Sequence, residues 1–129
     1  MGLEQRLRLH KTEDFARVRQ QGRVYSHSNL LLSLAPNSLD HNRYGFITSK
    51  RLGKAVVRNQ VRRRLRESIR HLHPHFRSGY DVVLIARPGA ALQPFTVLDR
   101  IIEGLARRSP LLDTSTDPRT ADTHRIDLE

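Results

Sequence analysis

The chain has 129 residues, a mass of 14.9 kDa and a formal net charge of +10, from 23 Lys and Arg against 13 Asp and Glu. That length suits one domain with a modest core, and the lack of cysteine excludes disulfides, thiolate metal sites and a cysteine nucleophile. No apolar run is long enough for a membrane-spanning helix, and residues 1–6 lack the apolar stretch of a secretory signal, so a cytoplasmic protein is expected.

Thr12 before Glu13 and Asp14 predicts a helix start, with Thr12 as the cap and the acids favoured by the helix dipole. Phe15 and Val18 give that helix a short apolar stripe, and Gly22 closes it. Residues 29–35 are a short apolar run ended by Pro36-Asn37-Ser38, which predicts a strand. Residues 43–49 predict a second strand, with Asp40-His41-Asn42 suited to a hairpin loop between the two and with Tyr44 and Phe46 divided between core and cleft. The clearest helix runs over residues 55–72 and is ended by His73-Pro74, because the residue before proline resists the α region. Residues 81–86 are continuous and rich in branched side chains, which predicts a central strand. Phe95, Leu98, Ile101, Ile102 and Leu105 then recur at helical spacing up to Arg107-Arg108, and Ser109-Pro110 stops that helix. In residues 113–129 five acids face two bases and apolar residues are scarce, so a disordered acidic tail is expected after a domain of residues 1–112. The order of elements predicts an α+β domain with helices covering one sheet.

Charge is concentrated in one window. Lys50, Arg51, Lys54, Arg58, Arg62, Arg63, Arg64, Arg66 and Arg70 fall within 21 residues, opposed only by Glu67. On a wheel of about 100° per residue, Val57, Val61, Leu65, Ile69 and Leu72 gather on one side. Asn59, Arg62, Arg63, Arg66 and Arg70 gather on the other, with Arg58 and Arg64 on the borders. One helix therefore buries a stripe and presents a basic ridge. Arginine, used here over lysine, offers a planar fork of donors that fits phosphate and stacks on bases. A merely solvated face is the plain alternative, but such faces mix their signs. A membrane-surface helix is disfavoured, since the apolar stripe lacks Trp and Phe and is consumed by packing on strands. The acidic residues are scattered with no paired-carboxylate motif, so a protein-only metal nuclease has no support. The histidines of His71-Leu72-His73-Pro74-His75 have poor ligand geometry across a helix end and are read as structural or solvated.

The run Lys54-Ala55-Val56-Val57-Arg58-Asn59-Gln60-Val61-Arg62-Arg63-Arg64-Leu65-Arg66 closely resembles the protein component of bacterial ribonuclease P. Glu13-Asp14-Phe15, Arg43-Tyr44-Gly45-Phe46, Ser49-Lys50-Arg51-Leu52-Gly53-Lys54 and Gly79-Tyr80-Asp81-Val82-Val83-Leu84-Ile85-Ala86-Arg87 agree with that family in order, over roughly residues 5 to 108. The resemblance implies an αβββαβα two-layer sandwich with a left-handed βαβ crossover, a fold shared with a ribosomal small-subunit protein domain. It implies a partner RNA that cuts the 5′ leader from precursor tRNA using magnesium, with no catalytic residue on the protein; no metal or cofactor held by the protein's own side chains is expected. It implies one protein per RNA, and neither DNA nor membrane as a partner. Carried over by position, Lys50, Arg51, Lys54, Arg58, Asn59, Arg62, Arg63, Arg66 and Arg70 would bind the catalytic RNA. Phe15, Arg19 and Ser33 would line the leader cleft, the last two standing where many members carry aromatics. Gln60 stands where the family motif usually has a second arginine. A ribosome-associated RNA-binding protein of the same fold is the alternative from another class; the RNA that copurifies distinguishes the two.

Overall fold

In a computed structural model that describes residues 3–112, helix α1 spans Thr12–Gln21 and is followed by strands β1 (Arg23–Ser26), β2 (Leu30–Pro36) and β3 (Arg43–Thr48). Helix α2 (Ala55–Leu72), strand β4 (Tyr80–Ala86) and helix α3 (Phe95–Arg107) complete the order αβββαβα. The expected acidic tail, residues 113–129, lies outside the described residues.

The four strands form one sheet in the order β1-β2-β4-β3. β4 is central, as its continuous apolar sequence predicts; it runs antiparallel to β2 and parallel to β3. The expected hairpin between β2 and β3 does not form, because β4 is inserted between them and α2 makes the crossover from β3 to β4. β1, which the sequence pattern leaves open, is a four-residue edge strand pairing with β2.

Strand pairing puts Leu30, Leu32 and Leu34 of β2 beside Ala86, Leu84 and Val82 of β4 on one face. Tyr44 and Phe46 of β3 join the same face opposite Val82 and Leu84. They are not divided between two faces, since residues two apart in a strand project the same way. α2 and α3 cover this face with Val61, Leu65, Ile69, Leu98, Ile102 and Leu105, all buried. Each such side chain contributes about 1.5–3 kcal/mol on burial. The α2 wheel is reproduced: Val61, Leu65, Ile69 and Leu72 are buried, Val57 is half-buried, and Ser68 joins them by donating to Asp99 Oδ1 at 2.6 Å.

The other face carries Ser33, Ala35, Val83 and Gly45, and α1 lies over part of it through Phe15 and Val18. α1 thus adds a partial third layer to the two that were expected. Thr12 is the first residue of α1 and not its cap; Lys11 occupies the cap position and no side chain bonds there. Gly22 closes α1 with an ordinary negative φ of −81°. What requires glycine there is space, because a Cβ would sit 2.4 Å from Val18 O and 2.7 Å from Leu34 O.

A buried carboxylate fastens α1 to the sheet. Asp81 accepts from Arg43 Nε at 2.9 Å, Arg43 Nη2 at 2.7 Å and Asn37 Nδ2 at 2.9 Å, and it also pairs with Arg17 of α1. Asp14 of α1 adds a second carboxylate, 3.9 Å from Arg17 Nη2 and 3.6 Å from Arg43 Nη1, so two cations of the basic chain are neutralised within the fold.

Candidate nucleic-acid interface

The chain before α1 determines where the basic helix meets the sheet. In Leu7-Arg8-Leu9 the two leucines are buried and Arg8 lies between them. Leu9 N donates to Tyr44 O at 2.8 Å, so this segment runs along the open edge of β3. α2 approaches that edge from one face and Phe15 reaches it from the other. Gly45 makes the second approach possible: a Cβ there would lie 2.4 Å from Phe15 Cε1.

The elements enclose a cavity of about 170 Å³ lined by Arg8, Arg62, Arg66, Phe15 and the Tyr44–Phe46 backbone region, among others. Among the described residues, no carboxylate lines it. Arg62 is half-buried and oriented by two bonds, from Nη1 to Asn59 Oδ1 at 2.8 Å and from Nη2 to Thr48 Oγ1. Asn59, a poor helix former, therefore positions Arg62 from one turn away. Arg66 stands one turn further on, about 6 Å along the axis. Partial burial, with Arg8 and Arg62 as like-charged neighbours, pulls its guanidinium below the ordinary arginine range. Among the described residues, none of Arg8, Arg62 and Arg66 pairs with an acidic side chain; Arg8 Nε donates only to Leu3 O, at 3.1 Å. Three cations converging without a counter-charge form a site that an anion stabilises.

The remaining ridge residues differ in their engagements. Lys50, Arg51, Lys54 and Arg63 are exposed. The first two sit in a one-turn helix, Lys50–Leu52, anchored by buried Leu52. Gly53, at φ +136°, then turns the chain into α2, a conformation that needs glycine. Arg58 is half-buried as its border position predicts, with its Nε buried and without a hydrogen-bond partner. Arg70 pairs with Glu67 at 2.6 Å on the surface. Such an exposed pair adds little to stability and exchanges readily for phosphate. Arg64 donates to Gln93 O at 3.1 Å and ties α2 to the segment before α3.

Of the three residues expected in a leader cleft, Phe15 lines the cavity. Arg19 is exposed on α1 and does not line it. Ser33 does not reach it either: it is 1% exposed beneath α1, with its hydroxyl donating to Val18 O at 3.4 Å. Arg8 is the residue that sequence reasoning missed. Its signal is the alternation Arg6-Leu7-Arg8-Leu9, in which the leucines go inward and the arginines outward.

Behind the cavity, buried Tyr44 donates its hydroxyl to His73 Nδ1 at 2.7 Å and accepts from Asn42 Nδ2 at 3.1 Å. Burial, then the nearby positive charge of Arg6, lowers the His73 pKa, which keeps the ring neutral as an acceptor.

The ribonuclease P family model matches residues 3–109. The ribonuclease P protein component of Caldanaerobacter subterraneus subsp. tengcongensis is 41% identical over 110 residues, covering 85% of this chain and 95% of that protein. That of Chloroflexus aggregans is 45% identical over 113 residues, covering 86% and 84%. The solved RNase P protein of Staphylococcus aureus superposes with a TM-score of 0.77 at 27% identity, covering 83% of this chain and 98% of the other. The Thermotoga maritima RNase P protein in complex with 1-(4-fluorophenyl)-2-thiourea superposes with a TM-score of 0.74 at 25% identity, covering 79% and 99%.

Proposed function

The chain belongs to the ribonuclease P protein family and is a subunit of that ribonuclease, and we propose that its basic surface clamps two RNA segments. Lys50, Arg51, Lys54, Arg63 and Arg70 take phosphates of the catalytic RNA on the outer side of α2. Arg8, Arg62 and Arg66 take the backbone of the precursor-tRNA 5′ leader where it crosses the β3 edge. The observation that carries this reading is the convergence of those three arginines, with no carboxylate among them, beside Phe15.

The residue chemistry supports the division. A-form RNA is recognised by shape, phosphate and 2′-hydroxyl, which a rigid exposed row of cations serves. A single strand is held by a positive groove with a few π faces, without reading its sequence. Phe15 supplies one π face, and Arg8, Arg62 and Arg66 supply the charge. One protein acts per RNA. On this reading magnesium belongs to the RNA partner, which carries out the cut.

The experiment compares the full chain with Arg66→Ala in titrations of cognate ribonuclease P RNA, and of its complex with precursor tRNA, across a salt series. Arg66→Ala should weaken precursor binding by about tenfold and reduce the salt slope by nearly one phosphate equivalent. An unchanged slope rejects the site. With RNA at low magnesium the protein should accelerate leader removal, and the protein alone should cut nothing.

A further inference from the structure

At the sheet edge opposite β3 the molecule carries a second cationic surface. A groove of about 350 Å³ runs along the outer side of α3, beside His27 at the end of β1. Its floor is Val97, Ile101 and Leu105, and Arg100 and Arg108 stand at its rim. Gly104 keeps it open: it brings no side chain, and a Cβ there would meet nothing within 4 Å. The charges of α3 are sorted between two sides. Asp99 is engaged by α2, accepting from Ser68 Oγ at 2.6 Å and pairing with His71 Nδ1 at 3.2 Å, and Glu103 pairs with Arg107 at 3.0 Å. Among the described residues, no carboxylate lines the groove, and Arg100 has no hydrogen-bond or ion-pair partner. The rim beside β1 is fixed in place. Arg108 Nη1 donates to Ser26 O at 3.0 Å, and Asn29 N donates to His27 Nδ1 at 3.0 Å. With Nδ1 accepting, the proton of the neutral His27 ring is on Nε2, which leaves that atom a donor.

An apolar floor between two cations calls for an apolar body flanked by negative charge. A bare phosphate leaves the floor unused, duplex RNA keeps its bases paired inside, and a second copy of a chain with net charge +10 is repelled. An unpaired nucleotide has the required form, a flat base between two phosphates, and such bases turn outward onto His rings and Arg planes in single-stranded RNA recognition. We propose that the α3 groove takes one unpaired nucleotide of the ribonuclease P RNA, at a contact separate from the arginine cavity. The base lies on Val97, Ile101 and Leu105 beside the His27 ring. Arg100 and Arg108, two turns and about 12 Å apart along the helix, take the phosphates on either side of it. The volume lies at the lower end of ligand pockets, which suits one nucleotide and not a run of them. This inference rests on the reading that the ribonuclease P RNA engages the outer side of α2. α2 and α3 cover the same sheet face side by side, with axes about 8–10 Å apart, so RNA on the α2 ridge has one helix to cross before it reaches the groove. The leader site lies at the other edge of the sheet, along β3.

The test titrates the unmodified full chain, Gly104→Leu and Arg100→Ala with cognate ribonuclease P RNA across a salt series. Gly104→Leu fills the floor without changing charge, so affinity should fall by at least about fivefold with the salt slope unchanged. Arg100→Ala should lower the slope by nearly one phosphate equivalent. Both variants, once assembled with RNA, should bind precursor tRNA as the unmodified chain does. The chain has no cysteine, so Thr96→Cys, exposed one turn before Arg100, gives a single attachment point for a photo-crosslinker. It should attach to an unpaired nucleotide of the ribonuclease P RNA, and Gly104→Leu should abolish that attachment. Unchanged RNA affinity in both variants, beside a weakened precursor complex for Arg66→Ala, overturns this inference alone and leaves the groove to an acidic protein segment. Crosslinks to precursor tRNA or to a second copy of the chain overturn it as well. An unmodified chain that does not bind the RNA overturns it together with the reading on which it rests.

Discussion

At the scale of single residues, function depends on which polar groups are satisfied inside and which are left for a partner. Asp81 is fully buried and holds Arg43, Arg17 and Asn37. Its replacement by alanine would leave Arg17 and Arg43 sharing only the more distant Asp14, and we expect Asp81→Ala to cost about 3 kcal/mol, read as a lowered urea midpoint. His73 makes a pH-dependent contribution of opposite character to a salt bridge. Its pKa in the fold lies below the ordinary histidine value, chiefly through burial. The unfolded chain therefore binds a proton that the folded chain does not, over the interval between the two values. This contribution is complete above the unfolded pKa of about 6.5 and is lost as pH falls toward the folded value. His73→Gln should flatten that part of the stability–pH curve, measured by denaturant titration between pH 5 and about 7.5. A curve parallel to that of the unmodified chain would contradict the Tyr44–His73 assignment.

At the scale of elements, the long helices and the central strand are legible because their signals are local. The α2 stripe and the α3 stripe have helical period and defined stops, and both helices begin and end within a residue or so of their expected limits. β1 is not legible, since Arg23-Val24-Tyr25-Ser26 is short and mostly exposed, and only its pairing with β2 makes it a strand. The false hairpin has a related origin. Asp40-His41-Asn42 does turn the chain, but nothing local reports that β4, about 40 residues later, will enter between β2 and β3. Half of the cavity was legible for the same reason. Arg62 and Arg66 follow from the wheel of one helix, whereas Arg8 and Gly45 join them only through tertiary approach. Gly104 offers a test at this scale that is independent of ligands. With open space around its Cα, Gly104→Ala should stabilise α3 by about 0.5–1 kcal/mol, seen as a raised thermal midpoint. A loss of stability would mean that the open space is not there.

At the scale of the whole molecule, the fold tolerates its charge by sorting it. Arg17 and Arg43 are neutralised by Asp81 and Asp14, Arg70 by Glu67, and Arg107 by Glu103. Among the described residues, Arg8, Arg62 and Arg66 are held together without such partners. Like charges held together in a partly buried site raise the energy of the free protein and lower that of the anion complex, so the same residues should have opposite effects on the two states. Arg8→Ala, Arg62→Ala and Arg66→Ala combined should leave the free protein as stable or more stable at low salt, because repulsion is relieved. The combined variant should lose most of the stabilisation that a polyanion confers on the unmodified chain, which reaches about 2.7 kcal/mol at a hundredfold excess over Kd. Thermal unfolding at low salt, with and without a short single-stranded RNA, measures both quantities in one series. If the three substitutions instead lower the midpoint of the free protein and leave the RNA-induced rise intact, these arginines are structural supports and the anion binds elsewhere.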